Sequence, residues 1–312
     1  MSMREVMVVV QKGDHSLGYY DFETGRELGR VAVDPFPHEF TLSADKRTAY
    51  LAGFGVALAE HPGDGGSTVS IVDVAGRRRI GTVHCGDYRR PHDVALDGRG
   101  TLYVLCEGSS RLLVVRDPAS GRFDLALPTL GHGSHMVTVL RDGSVAFSSN
   151  MESGTVTALF PDAPDRPGVV LPVGKHAEGS VLDAEERLLY VVNRESAEIT
   201  IIDVQQLRVL RSVPTPPGPV RVCRDGARLL VALYHGCGLL MVDLTDRAKQ
   251  QVVPLPAKAI SVGYHAPSRT ALLSCHDQRV YLVDTAVGRV MRSFPTRLDP
   301  DPVAVVCLDL SE

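Results

Sequence analysis

The sequence predicts a single seven-bladed β-propeller, and three observations predict it. An apolar strand ending in Asp recurs seven times along the chain. A strand–polar turn–strand unit precedes six of those copies. The unit missing before the first copy stands in part at the far end of the chain.

The Asp-ended strands are Leu17–Asp21, Val69–Asp73, Leu113–Asp117 and Ala158–Asp162, followed by strands closing on Asp203, Asp243 and Asp284. Successive Asp residues lie 52, 44, 45, 41, 40 and 41 positions apart. A period of about 40–45 residues, filled by four short strands, is that of a propeller blade. Turn segments such as Glu23-Thr24-Gly25-Arg26 follow the Asp, then a further strand such as RELGRVAV. These two strands are C and D of each blade. Strands A and B precede them, in segments starting at His38, His92, His135, Glu178, Pro219 and Ile260. Asp-Gly and Asp-Lys dipeptides between A and B suit tight hairpins. In the first blade, residues 3 to 10 supply strand B, and the missing strand A is Pro302 to Leu310. The C-terminal strand therefore pairs into the first blade, and residues 1–312 form one closed domain without open sheet edges.

Composition agrees with a globular enzyme-sized fold and excludes several classes. The 312 residues are 44% hydrophobic and 22% charged, with a net charge of −4 and no basic cluster, which argues against a nucleic-acid partner. The N-terminal segment Met1 to Lys12 has an apolar core of only Val6 to Val10, too short for a signal peptide. No apolar run approaches the roughly 20 residues of a membrane helix, so no membrane partner is expected. Cys85, Cys106, Cys223, Cys237, Cys275 and Cys307 show no metal or disulfide spacing and read as reduced thiols of a cytoplasmic protein.

The candidate site comes from aligning the blades on the strand B aromatic. His38 lies 12 residues before Tyr50, His135 12 before Phe147, Glu178 12 before Tyr190, and His92 11 before Tyr103. Strand A of a propeller lines the central channel, so these four residues share one address at its mouth. The equivalent positions fall near Gly218 and Ile260 in blades 6 and 7, and at Asp301 or Pro302 in blade 1. Three imidazoles and a carboxylate converging on one point form a ligand set for one divalent transition metal, Fe, Mn, Zn, Ni or Cu. Blade duplication copies residues too, but Glu at the fourth address is a different residue suited to the same role. His176, two residues before Glu178 on the same side of an extended strand, is the other reading of the fourth ligand.

The B–C and D–A loops emerge at the same rim and wall the site. They carry His235, His276 and Tyr234 as acid–base candidates, and Asn150, Asn193, Arg194, Glu107 and Arg90 as substrate-binding candidates. The Gly-rich segment Val56 to Ser67 reads equally as a lid over this rim or as a loose loop. His84 and Cys85 read as structural, and His265 as an exposed residue of the far rim.

The strand B endings YVVN (Tyr190 to Asn193) and YVLC (Tyr103 to Cys106), with the following IIDV, resemble the YVTN-type propeller repeats of lactonase-like and surface-layer proteins. The chain has no Trp, which sets it apart from the WD repeats. The resemblance spans the whole chain and implies the fold; propellers host enzymes and scaffolds alike. Similar seven-bladed propellers include streptogramin lyase and oligogalacturonate lyase, which use a metal with His residues for elimination. Carotenoid oxygenases hold Fe(II) with four His at the propeller axis. The expectation is a metal-dependent enzyme acting on a small oxygenated substrate by lyase, isomerase or hydrolase chemistry. The alternatives are oxygenase chemistry at a three-His/one-Glu iron site, a lactonase like the phosphogluconolactonases, or a non-catalytic binding scaffold. A scaffold needs an exposed apolar or aromatic rim, whereas this rim is polar and rich in His.

Overall fold

The computed structural model describes residues 3–58 and 60–309. Seven four-stranded antiparallel sheets stand around a channel. Among the described residues there is no α-helix, only 3₁₀ turns at Glu107–Ser109 and Pro118–Ser120, and no helix long and apolar enough to cross a membrane. Blade 2 shows the plan: strands A to D are Pro37–Leu42, Thr48–Gly53, Thr68–Asp73 and Arg78–His84, paired in that order. Strands A of blades 3 to 7 begin at Pro91, Ser134, Ala177, Pro219 and Ala259, and each touches the strand A of its neighbours around the ring.

The middle strands are buried on both faces because every blade is wedged between two others. Leu102–Cys106, for example, is buried along its whole length. Such strands lose the alternation of a half-exposed sheet and read as continuous apolar runs. Strand D faces outward, and Arg208–Pro214 is almost entirely exposed. The buried side chains sort into seven clusters among the described residues, one at each blade–blade interface. At about 1.5–3 kcal/mol for each large apolar side chain removed from water, these interfaces hold the ring together.

The recurring Asp closes the turn from strand C to strand D. Its carboxylate accepts a backbone N–H two or three residues on: Asp21 from Thr24 at 2.8 Å, Asp73 from Gly76 at 3.0 Å, Asp203 from Gln206 at 2.8 Å, Asp284 from Ala286 at 2.8 Å. Asp162 departs from this pattern; it pairs with Arg99 at 3.0 Å, and a longer connection leads on to Val169.

Blade 1 is built from both ends of the chain. Strand A, Pro300–Asp309, pairs with strand B, Met3–Gln11, from Met3 opposite Asp309 to Gln11 opposite Pro300. The predicted closure is present; Leu310, which the sequence also placed in this strand, lies outside the described residues.

Two backbone features repeat in every blade and build the rim. The N–H just after strand B donates to the C=O just before strand A: Lys12 to Asp299, Phe54 to Phe36, Glu107 to Arg90, Met151 to Gly133, Arg194 to His176, Tyr234 to Gly218, His276 to Lys258. Strand A then opens with a β-bulge within its first four residues, in all seven blades. A bulge leaves residues unpaired and bends the strand.

Removing residues 300 to 312 takes out the pairing partner of Met3–Gln11 and bares two apolar interfaces. The truncated chain should lose its cooperative thermal transition. An unchanged midpoint by circular dichroism would refute the closing role of this strand.

Candidate active site at the channel mouth

The bulges place one residue of each blade at the channel mouth: His38, His92, His135, Glu178, Val220, Ile260 and Asp301 all line one cavity of about 450 Å³. The aromatic alignment works because Tyr50, Phe147, Tyr190 and Tyr103 each pair with the residue three positions after the ring residue, Thr41, Thr138, Val181 and Ala95. In blade 6 the ring position is Val220, two residues past Gly218. Six of the seven ring residues follow, by two positions, a residue with positive φ: Phe36, Arg90, Gly133, His176, Gly218 and Asp299. His176 occupies that corner at φ 60°, so Glu178 takes the channel position.

A second ring stands above the first. It comprises the rim N–H donors Lys12, Phe54, Glu107, Met151, Arg194, Tyr234 and His276, all of which line the cavity. Four of them, Glu107, Arg194, Tyr234 and His276, are site residues expected from the sequence. Tyr234 and His276 pack edge-on at 5.2 Å. Burial and the Lys258 ammonium hold His276 below the usual imidazole range. His235, one position past the ring, is exposed and is not in the cavity lining. Asn150 and Asn193, one position before it, are fully buried. Asn150 accepts from Ser134 and Ser148, both at 3.0 Å, and donates to Thr155 and Thr157; Asn193 donates to Thr200 at 2.8 Å. Both brace the ends of strands and leave the wall to Met151 and Arg194. Arg90 donates to the carbonyls of His61 and Gly63, both at 2.8 Å, and so ties down the blade 2 loop. Residues Leu58, Glu60 and His61 of that loop reach the cavity. Ala59, within the same loop, lies outside the described residues. His265, expected exposed, is buried at the far rim against Glu5 at 3.2 Å.

The imidazoles do not converge on one point. They stack as tilted plates, His38 on His92 at 4.0 Å and His92 on His135 at 3.7 Å between ring centroids. His38 presents Nδ1 to Asp301 Oδ2 at 3.1 Å, and its Nε2 lies 3.2 Å from Lys12 Nζ. His92 is 1% exposed, and neither of its ring nitrogens has a hydrogen-bond partner. His135 lies between two carboxylates, with Nδ1 2.9 Å from Glu107 Oε2 and Nε2 3.0 Å from Glu178 Oε2. Donor atoms that stand close enough to share an ion form two groups among the described residues, His92–Glu107–His135 and His38–Glu39–Asp301. Of the expected set, His92 and His135 fall in the first group, His38 in the second, and Glu178 in neither.

Glu178 is engaged elsewhere. Its Oε2 accepts from Arg221 at 2.8 Å, and its Oε1 lies 3.2 Å from Arg194. Arg221 crosses the channel to donate to Glu39 at 2.7 Å. Glu39, Asp93 and Arg221 each directly follow a ring residue, or its counterpart Val220, and form a buried charged layer below the first ring.

This crowding sets the protonation states. Burial opposes the Glu178 anion, but His135 and Arg221 outweigh it and hold the carboxyl well below its usual range. Burial opposes the His135 cation as well, yet Glu178 and Glu107 push it up to about 9. Burial, then Lys12, depresses His38; burial, then His135 and Arg221, depresses His92. Both rings are therefore neutral near pH 7. Burial and the charge of Glu39 raise Asp301 and Asp93 to about 7, although Asp93 accepts two backbone N–H groups at 2.7 Å.

Two predictions follow from these charges. Arg221→Met strands the Glu39 and Glu178 carboxylates, and losing one partner of a buried pair costs about 3–5 kcal/mol; urea unfolding reads this, and adding Glu39→Gln should restore part of it. Unchanged stability in the single variant would contradict the buried pairing. Asp301 keeps its proton in the native state between pH 4 and 7, where the unfolded chain has lost it, so wild-type stability falls as pH rises through that window. Each unit of raised pKa is worth about 1.4 kcal/mol. The melting temperature of Asp301→Asn relative to wild type should therefore climb from pH 4 to 7 and level off above; a flat difference counts against the shift.

No protein-family model and no curated protein sequence matches the chain. Solved structures do. The periplasmic gluconolactonase PpgL of Pseudomonas aeruginosa superposes with a TM-score of 0.79 at 17% identity, over 98% of this chain and 99% of that one. A functionally unknown protein of Desulfotomaculum acetoxidans gives 0.78 at 11%, over 97% and 99%. Hydrazine synthase of Kuenenia stuttgartiensis gives 0.70 at 16%, over 92% and 91%. The shared feature is the fold, across essentially the whole chain.

Proposed function

We propose that the protein is an enzyme that hydrolyses a small, oxygen-rich ester, of the sugar-lactone kind, at the channel mouth. The observation that carries this reading is His38, with Nε2 3.2 Å from the Lys12 ammonium and Nδ1 3.1 Å from Asp301 Oδ2, a close approach that does not form a hydrogen bond in the free protein. Once its own proton is released, Asp301, beside Nδ1, supports the positive charge the ring gains. Nε2 then faces the cavity as a general base. Lys12 donates to that nitrogen in the free protein and turns to a substrate carbonyl oxygen on binding. Water gives its proton to His38 as its oxygen bonds to the carbonyl carbon. Lys12 balances the charge on the former carbonyl oxygen. The C–O ester bond breaks, and His38 returns the proton to the departing alkoxide.

Three further observations agree. Arg194, Tyr234 and His276 offer donors along the wall for hydroxyl-rich substrates. Of the exposed large apolar side chains among the described residues, only Leu58 lines the cavity, so this rim is a poor protein-docking face. A gluconolactonase is built on the same fold. The catalytic emphasis moves from His235, which is exposed and outside the cavity, to His38.

Acid release from a panel of aldonolactones, followed with an indicator dye, tests the reading. His38→Gln should lower kcat by about 10²–10⁴-fold, and Lys12→Met by about 10²–10³-fold, both with unchanged melting temperature. If no ester is cleaved, or if the two variants turn over like wild type, the proposal fails.

A further inference from the structure

We propose that His92, Glu107 and His135 bind one divalent transition metal ion, with Glu178 as the outer carboxylate that orients His135. The ligand set differs from the ring expected from the sequence: Glu107, from the rim above, takes the carboxylate place, and His38 is left free for proton transfer.

Spacing comes first. His92 Nε2 lies 3.9 Å and His135 Nδ1 2.9 Å from the same oxygen, Glu107 Oε2. One donor atom from each of the three residues falls within 4.8 Å of the others. Ligands about 2.1 Å from a tetrahedral or octahedral ion stand about 3.0–3.4 Å from one another, so small side-chain movements close the set. Two imidazoles and one carboxylate are borderline donors of the kind that holds Zn(II) or Fe(II), with positions left open for water or substrate.

His92 is the independent sign. Its side chain is 1% exposed, it lines the cavity, and both nitrogens lack a partner. A buried polar atom without a partner costs about 1–3 kcal/mol. His38 Nδ1 also lacks a hydrogen bond, although Asp301 Oδ2 lies 3.1 Å away, while both nitrogens of His135 face carboxylates within 3.0 Å; His92 alone in the stack has no hydrogen bond at either nitrogen. A metal ion on Nε2 gives His92 the partner it lacks.

The outer arrangement also fits. A ligating imidazole usually donates its second N–H to a carboxylate, which fixes the ring and makes it a better ligand. His135 does this to Glu178 at 3.0 Å, and Glu178 is itself fixed by Arg221 and Arg194. Arg221 Nη2 stands 3.5 Å from His135 Nε2, on the side away from Glu107, with its charge matched by Glu39 and Glu178. Leu58, Glu60 and His61 of the blade 2 loop line the same cavity.

The test uses binding equilibria of the full-length chain, so it stands apart from any ester activity. The protein is stripped with chelator, then titrated with Co(II) by visible absorption and with Zn(II) by calorimetry. One equivalent should bind. His92→Ala and Glu107→Gln should each weaken affinity by at least 100-fold, and Glu178→Gln by about 10–100-fold. His38→Ala should bind as wild type. Circular dichroism confirms that each variant is folded, and Glu107→Gln, which preserves shape, serves if His92→Ala does not fold. The proposal is overturned if wild type takes up no stoichiometric metal, if Glu107→Gln binds normally, or if His38→Ala loses the ion.

Discussion

Strand pairing between Pro300–Asp309 and Met3–Gln11 turns six complete blades and one divided blade into a circle. Each blade is a thin sheet whose two faces are both apolar, and alone it has no inside. Seven blades in a closed ring supply each other's interiors, and the seven clusters at their interfaces are the only hydrophobic core found among the described residues. Equal spacing around the axis follows from closure. That spacing brings the openings of seven innermost strands to one level, which makes residues far apart in sequence, such as Glu39 and Arg221, hydrogen-bonding partners.

Much of this was legible in the chain because the repeat carries its own register marks. The strand C Asp is one, since its carboxylate is needed to close a turn. The strand B aromatic is another, since it faces a fixed position of strand A. Where the hairpin between strands A and B changes length, counting fails in a predictable way; blade 7 has Leu272 in the aromatic slot but the usual length, and the count still reaches Ile260. Blade 6 has Leu230 in the aromatic slot, opposite Cys223, and its hairpin is two residues shorter; counting twelve back from Leu230 reaches Gly218, two residues short of Val220. Asn150, Asn193 and His235 miss the cavity by one position each, and one position is enough to turn a side chain away. Pairings across the ring carry no local trace. Nothing near Arg221 in sequence announces Glu39, and nothing near Glu107 shows that it meets His135.

Charge in the channel is matched by contact rather than by solvent. Arg221 joins Glu39 to Glu178, and Glu178 with Glu107 keeps His135 cationic. What remains is resolved by protonation. Asp93 and Asp301, both raised by burial and by Glu39, sit near the midpoint of their titration at neutral pH. Such carboxyls exchange a proton at little cost.

The bulge at the head of each innermost strand has a consequence for how such a protein diversifies. It frees the first residues of the strand from strict alternation, so consecutive side chains, as in His38-Glu39, His92-Asp93 and Val220-Arg221, both serve the channel. The bonds that make the bulge and the rim are main-chain bonds, indifferent to side-chain identity. Seven blades then offer a combinatorial alphabet of paired sites on an invariant backbone. One pair can be rewritten by mutation while its six neighbours keep their places, and chemistry can drift around the axis without the architecture having to follow.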